Sequence, residues 1–163
     1  MILHEQFVKT AKKYSKKLAI IDKSTNRKVP YGRALIASLI LAKKFRKYKE
    51  RYIGIMIPTS AGSMLATIGV LMAGKVPVMI NYSTGAAENC EYGQNMCGFK
   101  TIITSKALVE KINCRLVEGM IYLEDIMEDI STSEKLGAAL KSKLPASMII
   151  KSLPKTNPDD NAV

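Results

Sequence analysis

Tryptophan is absent from this chain, histidine occurs once, at His4, and cysteine three times, at Cys90, Cys97 and Cys114. Three thiols cannot all pair, and Cys90 and Cys97 stand two turns apart along one helical face, so reduced structural cysteines are expected rather than a disulfide framework. With a single histidine, a zinc site would need an unusual ligand set, and no metal site is expected. His4, so near the terminus, is a poor general base. Aromatic residues make up only 6% of the chain and do not interleave with basic ones, so no base-stacking platform forms and nucleic acid is not expected as a partner.

Long apolar runs are missing too. The longest, residues 34–42 and 64–73, fall short of the ~18 residues of a membrane span. The opening MILHEQFVKTAKKYSKK has no apolar signal-peptide core, which makes the cytoplasm the expected compartment. No G-x-G-x-x-G, no G-x-x-x-x-G-K-S/T and no G-x-S-x-G run is present, which argues against a dinucleotide-binding oxidoreductase. The acidic group Glu124, Asp125, Glu128 and Asp129 has no second carboxylate cluster to complete a cation site, so it reads as a solvated acidic turn.

What is present suffices for a folded core: 163 residues, 47% of them hydrophobic, at a mean hydropathy of +0.03. The net charge of +11 is unevenly spread. Residues 1–51 hold 15 Lys and Arg against 3 Asp and Glu, and the remainder is nearly neutral. Lys9, Lys12, Lys13, Lys16 and Lys17 recur at helical spacing, and Lys43, Lys44, Arg46, Lys47, Lys49 and Arg51 form a second cluster. Solvated helix faces and ends account for this pattern. The functional alternative is a basic interaction module docking on an acidic protein or an anionic membrane surface.

The chain is organised around residues 52–82. YIGIMIP reads as a strand buried on both faces. TSAGSMLATIGVLMAGK reads as a helix capped by Thr59 or Ser60, stopped by Gly74, and lined on one side by Ala61, Gly62, Ala66, Gly69 and Ala73. VPVMINY reads as a second buried strand, with Pro77 tolerated near its start. Strand, helix and strand within about 30 residues make a parallel βαβ unit. Around it the pattern predicts helices over 2–17, 31–48, 86–97, 106–112 and 131–143, and strands over 18–22, 100–105 and 119–123. Residues 28–30 pair back as a hairpin arm across the turn Ser24-Thr25-Asn26. Residues 147–153 carry both strand-like and helix-like features. The expected fold class is α/β, doubly wound, with a mainly parallel sheet flanked by helices. Residues 1–153 are read as one subdomain and 154–163 as an extended polar tail. In open α/β sheets, ligands bind beyond the carboxyl ends of the strands; Asn81, Tyr82 and Ser83 sit there and are the candidates for lining an acyl or nucleotide pocket.

Several of these pieces, in this order, resemble the start of the adenylate-forming enzymes, the acyl-CoA synthetase and AMP-binding superfamily: Phe7 with Ala11, residues 18–22, Val29-Pro30-Tyr31-Gly32, residues 53–82 and KTIITS. In that family a Pro-Asn-Ser turn usually follows the first strand; here Thr59 stands where Asn is usual. VPVMINYSTG, KTIITSKALVEK and IYLEDI are similar, more narrowly, to the synthetase portion of the bacterial bifunctional acyl-ACP synthetase/2-acylglycerophosphoethanolamine acyltransferases (ACP, acyl carrier protein). The resemblance implies activation of a fatty acid by ATP and Mg2+ to an acyl-adenylate, followed by loading onto ACP or CoA for phospholipid re-acylation. It also implies a location that extends to the cytoplasmic face of the inner membrane. The family's phosphate loop, a Thr/Ser/Gly-rich run followed by Pro-Lys-Gly, does not occur in this sequence. Residues 159–163 resemble the segment just ahead of it, so the chain is expected to stop before that loop and to be inactive alone. No catalytic residue is carried over, and the implied partner is the remainder of the adenylation domain.

Overall fold

A computed structural model describes residues 1–159; residues 160–163, most of the stretch resembling the approach to a phosphate loop, lie outside the described residues. The chain opens with helix α1 (Leu3–Lys13) and an antiparallel hairpin of β1 (Leu18–Asp22) and β2 (Arg27–Pro30). Helix α2 (Tyr31–Phe45) follows, then β3 (Tyr52–Met56), α3 (Ala61–Met72) and β4 (Val76–Met79). Next come α4 (Ala86–Cys97), β5 (Ile102–Thr104), α5 (Lys106–Lys111), β6 (Met120–Tyr122) and three further helices, α6 (Leu123–Glu128), α7 (Thr132–Lys143) and α8 (Ala146–Lys151).

The main sheet runs β4-β3-β5-β6, with every neighbouring pair parallel. Pro77 lies in β4, at the edge of that order, where a missing amide donor leaves no inner ladder bond unmade. The side chains of β3 alternate between two cores. Ile53, Ile55 and Ile57 join α1, α2 and α3 on one face, while Met56 joins α4, Phe99 and α5 on the other. Helices thus cover both faces, as the doubly wound expectation requires. A Cβ on Gly69 would lie 2.8 Å from Leu41 Cβ, so the α2–α3 contact needs a residue without a side chain there. Ser60 caps α3 by accepting from the Ser63 amide, and Gly74 closes it at a φ of 75°.

Several boundaries differ from the sequence expectation. α1 ends at Lys13, not residue 17: the Lys17 amide donates to the Tyr14 carbonyl and the Tyr31 amide to that of Lys17, which turns the chain back beside the start of α2. Residues 124–129 are mostly helix α6 rather than a turn, because Ile126 is drawn into the core and Asp129 meets Lys44, while Asp125, Glu128 and Asp129 stay solvent-exposed as expected. The ambiguous stretch 147–153 is largely α8, with Ile149 fully buried. His4, expected at a mobile end, is buried in α1, and that burial lowers its pKa.

Lys44 belongs to the basic run yet is itself buried. Its Nζ donates to Asp129 O at 2.9 Å and to Asp129 Oδ2 at 2.7 Å, and lies 3.3 Å from Glu134. The hydrogen bond to Asp129 leads in holding its pKa up. One cation of the basic third is therefore spent inside the fold, binding α2 to the end of α6 and the start of α7.

Candidate functional site

The parallel sheet points the carboxyl ends of β3, β4, β5 and β6 toward one side, where loops and helix starts gather. At the β3 end, the first turn of α3 is already satisfied. The Ala61 amide donates to Asp22 Oδ2 at 2.9 Å and the Ser63 amide to Ser60 Oγ at 3.2 Å. Asp22 Oδ1 also accepts from the Ser24 hydroxyl at 2.6 Å. These contacts, led by Ser24, hold the Asp22 carboxyl far below its ordinary range. A carboxylate from the hairpin thus occupies the positive end of α3, where a phosphate would otherwise be favoured.

At the β4 end the chain leaves the sheet through Asn81, Tyr82 and Ser83. Asn81 Oδ1 accepts from the Ser83 amide at 2.9 Å, an Asx-type turn. Asn89, one turn into α4, clamps the loop by donating to the carbonyls of Asn81 at 2.9 Å and Thr84 at 2.7 Å. Gly85 opens α4 at a φ of 59°, a left-handed position suited to glycine.

A cleft of about 330 Å³ lies between this loop and the turn after α5, and Tyr82, Ser83, Ala87, Glu88, Cys114 and Arg115 are among its walls. The structure thus places Tyr82 and Ser83 on the cleft and Asn81 in the turn that shapes it. Arg115 forks onto Glu91, with both nitrogen–oxygen distances at 2.8 Å, and reaches Glu88 at 3.7 Å. The pairing lowers the Glu91 pKa and raises that of Arg115. Burial raises the Cys114 thiol, and pushes that of Cys90 up to about 11. Both thiols are therefore protonated at neutral pH and the local charges are mutually engaged. The cleft can orient a ligand; it holds no poised nucleophile or base.

Sequence reading reached this loop from the β4 side only. It missed Asn89, Glu88, Glu91 and Arg115. The available signals were modest: Glu88 and Glu91 share a helical face three residues apart, and Arg115 is the one basic residue between α5 and β6.

A family model described as AMP-binding enzyme matches residues 7–163. Among solved structures, the inhibitor-bound N-terminal domain of FACL13 from Mycobacterium tuberculosis is similar at a TM-score of 0.64 and 15% identity, over 98% of this chain and 38% of that one. O-succinylbenzoate coenzyme A synthetase (MenE) from Bacillus subtilis, in complex with ATP and magnesium ion, is similar at 0.65 and 15% identity, over 77% of this chain and 34% of that one. A fatty acyl CoA synthetase from Mycobacterium tuberculosis gives 0.58 and 18% identity, over 77% and 27%. The chain therefore spans well under half the length of these structures.

Proposed function

Since the chain belongs to the AMP-binding enzyme family, we propose that it supplies the N-terminal subdomain of an adenylate-forming ligase whose substrate is a fatty acid. In that reaction a carboxylate oxygen attacks the α-phosphorus of ATP, pyrophosphate leaves, and the acyl group then passes from AMP to the thiol of ACP or CoA. The family match across residues 7–163 carries the reading. The narrower resemblance of VPVMINYSTG and IYLEDI supports the fatty acid and the ACP acceptor, and through them a role in phospholipid re-acylation.

The residues described here do not fit a triphosphate with its magnesium ion. The leading amides of α3 are filled by Asp22 and Ser60, and the carboxylates beside the β4 exit are turned onto Arg115. No step of phosphoryl chemistry is therefore assigned to this chain. Its share in the proposed reaction is structural: it holds the sheet and the walls formed by Tyr82 and Ser83, on which an acyl or adenylate group would rest.

Two measurements test this. Purified 1–163 is expected to give background ATP–pyrophosphate exchange with fatty acids of any length; robust exchange by this polypeptide alone would overturn the assignment. The gene read beyond codon 163 is expected to encode, in frame or after a frameshift, a Thr/Ser/Gly-rich run followed by Pro-Lys-Gly. A downstream sequence without that run in any frame would contradict it.

A further inference from the structure

Helix α7 and the residue that caps its carboxyl end present three leucines at four-residue intervals. Leu136 is 61% exposed, Leu140 56%, and Leu144, at the helix end, 38%. Residues four apart stand above one another on a helix, so the three make one apolar ridge. Open space surrounds the ridge at Gly137 beside it, where an added Cβ would meet nothing within 4 Å. Lys135 and Lys143 flank it, exposed and without an ion-pair partner among the described residues. At the carboxyl end of α7 a groove of about 550 Å³ runs between α1 and α2. Lys12, Lys16, Arg33 and Lys143 stand around it over a floor that includes Leu35 and Ile36, and no acidic side chain lines it. Lys12 of α1 ties that helix to the end of α7 by donating to the Ser142 carbonyl at 2.7 Å.

We infer that the face formed by α7 and the adjoining α1–α2 groove docks on an anionic phospholipid surface. The leucine ridge enters the acyl–headgroup boundary, and the lysines and Arg33 meet lipid phosphates. Charge complementarity selects an anionic occupant, and the chemistry of the face narrows it. Leucines that stand out from a helix need a yielding apolar medium, whereas an acidic protein helix would offer charge but no receiving hollow. A phospholipid supplies both the apolar chain and the anion. The inference does not rest on the ligase reading, and either can fail without the other.

The test uses 1–163 and vesicles of equal phosphatidylglycerol and phosphatidylcholine. The protein is expected to sediment with these at low salt, to bind phosphatidylcholine vesicles at least about tenfold more weakly, and to be released as salt rises. Leu136→Asn with Leu140→Asn, and separately Lys135→Glu with Lys143→Glu, should each weaken binding about tenfold or more. Lys100→Glu with Lys111→Glu, a matched charge change on the other side of the sheet, should bind nearly as the natural chain does. Because the chain has no tryptophan, Leu140→Trp gives a clean reporter whose emission should shift to the blue on vesicles. The ridge and lysine variants change exposed positions, so unchanged melting curves will certify their folding. Absent vesicle binding, ridge variants that bind undiminished, or equal losses in the control pair would overturn the inference. So would self-association abolished by the ridge variants, or capture of acyl carrier protein through the same lysines without vesicle binding.

Discussion

Helices α3 and α7 are both twelve residues long, yet α3 lies between two strands with most of its residues buried, while no residue of α7 is fully buried. α3 is specified by what surrounds it: Gly69 against Leu41 and Phe45, and Ala66 and Met72 sealed in the core. α7 is specified by its ends. Ser131 and Glu134 form a reciprocal capping box, Glu134 reaches Lys44, and Lys141 and Lys143 sit in the last turn. The difference teaches where a substitution will hurt. In the first helix shape matters at most positions; in the second, the caps, the ion pairs of Glu134 and the contact of Ala138 with the core matter, and the outward side chains are free to serve another purpose.

The largest effect expected on either side of this comparison is from Ile53→Ala in β3, which empties a fully buried position. It should cost about 2–5 kcal/mol in urea unfolding. A cost below about 1 kcal/mol would mean that the β3 core is looser than described. Gly69→Ala and Gly137→Ala then make a direct contrast. The first drives a methyl against Leu41 Cβ and should destabilise by about 1–3 kcal/mol despite its better helix propensity. Between these two glycines in size stands Ser131→Ala, which removes half of the capping box for about 1 kcal/mol. Gly137→Ala enters open space and should stabilise by about 0.5–1 kcal/mol. Equal signs for the two glycines would break the comparison.

Acid sharpens it further. The backbone amide of Ser131, followed by Lys44, holds the Glu134 carboxyl down to about 2. A carboxylate depressed in the folded state stabilises above its ordinary pKa, and that stability is lost as pH falls toward the depressed value. Stability attached to α7 should therefore decline between the ordinary Glu range and pH about 2. Glu134→Gln keeps a capping side chain but removes the titration, so its stability–pH curve should be flatter across that window. Asp22 shifts in the same direction and remains in both proteins, so the difference between the two curves reports Glu134 together with Asp129, which shares Lys44 with it.

The β3–α3–β4 unit was legible in the sequence because burial on both faces leaves an unbroken apolar run, and because Gly69 and Gly74 mark close approach and helix end. Most helix and strand types elsewhere were also legible; α6, expected as an acidic turn, and α8, left between strand and helix, were not. Lys16 and Lys17 were not, since their spacing continues the helix while the turn at Tyr14 leaves it. Lys44 resembled its exposed neighbours; only the fold brings it to Asp129 and Glu134, about 85–90 residues away in the chain. The cleft was half legible for the same reason. Tyr82 and Ser83 follow from the end of β4, but Arg115 arrives from a turn that no local pattern places opposite them.

Native-state hydrogen exchange tests the central contrast most directly. Amides of β3, α3 and β4 are expected to exchange only through global unfolding, with the full denaturant dependence of the whole molecule, while α7 opens at a distinctly lower free energy with a shallow dependence. If α7 were as protected as β3 and responded as steeply to denaturant, the division into a packed unit and an end-capped helix would be contradicted.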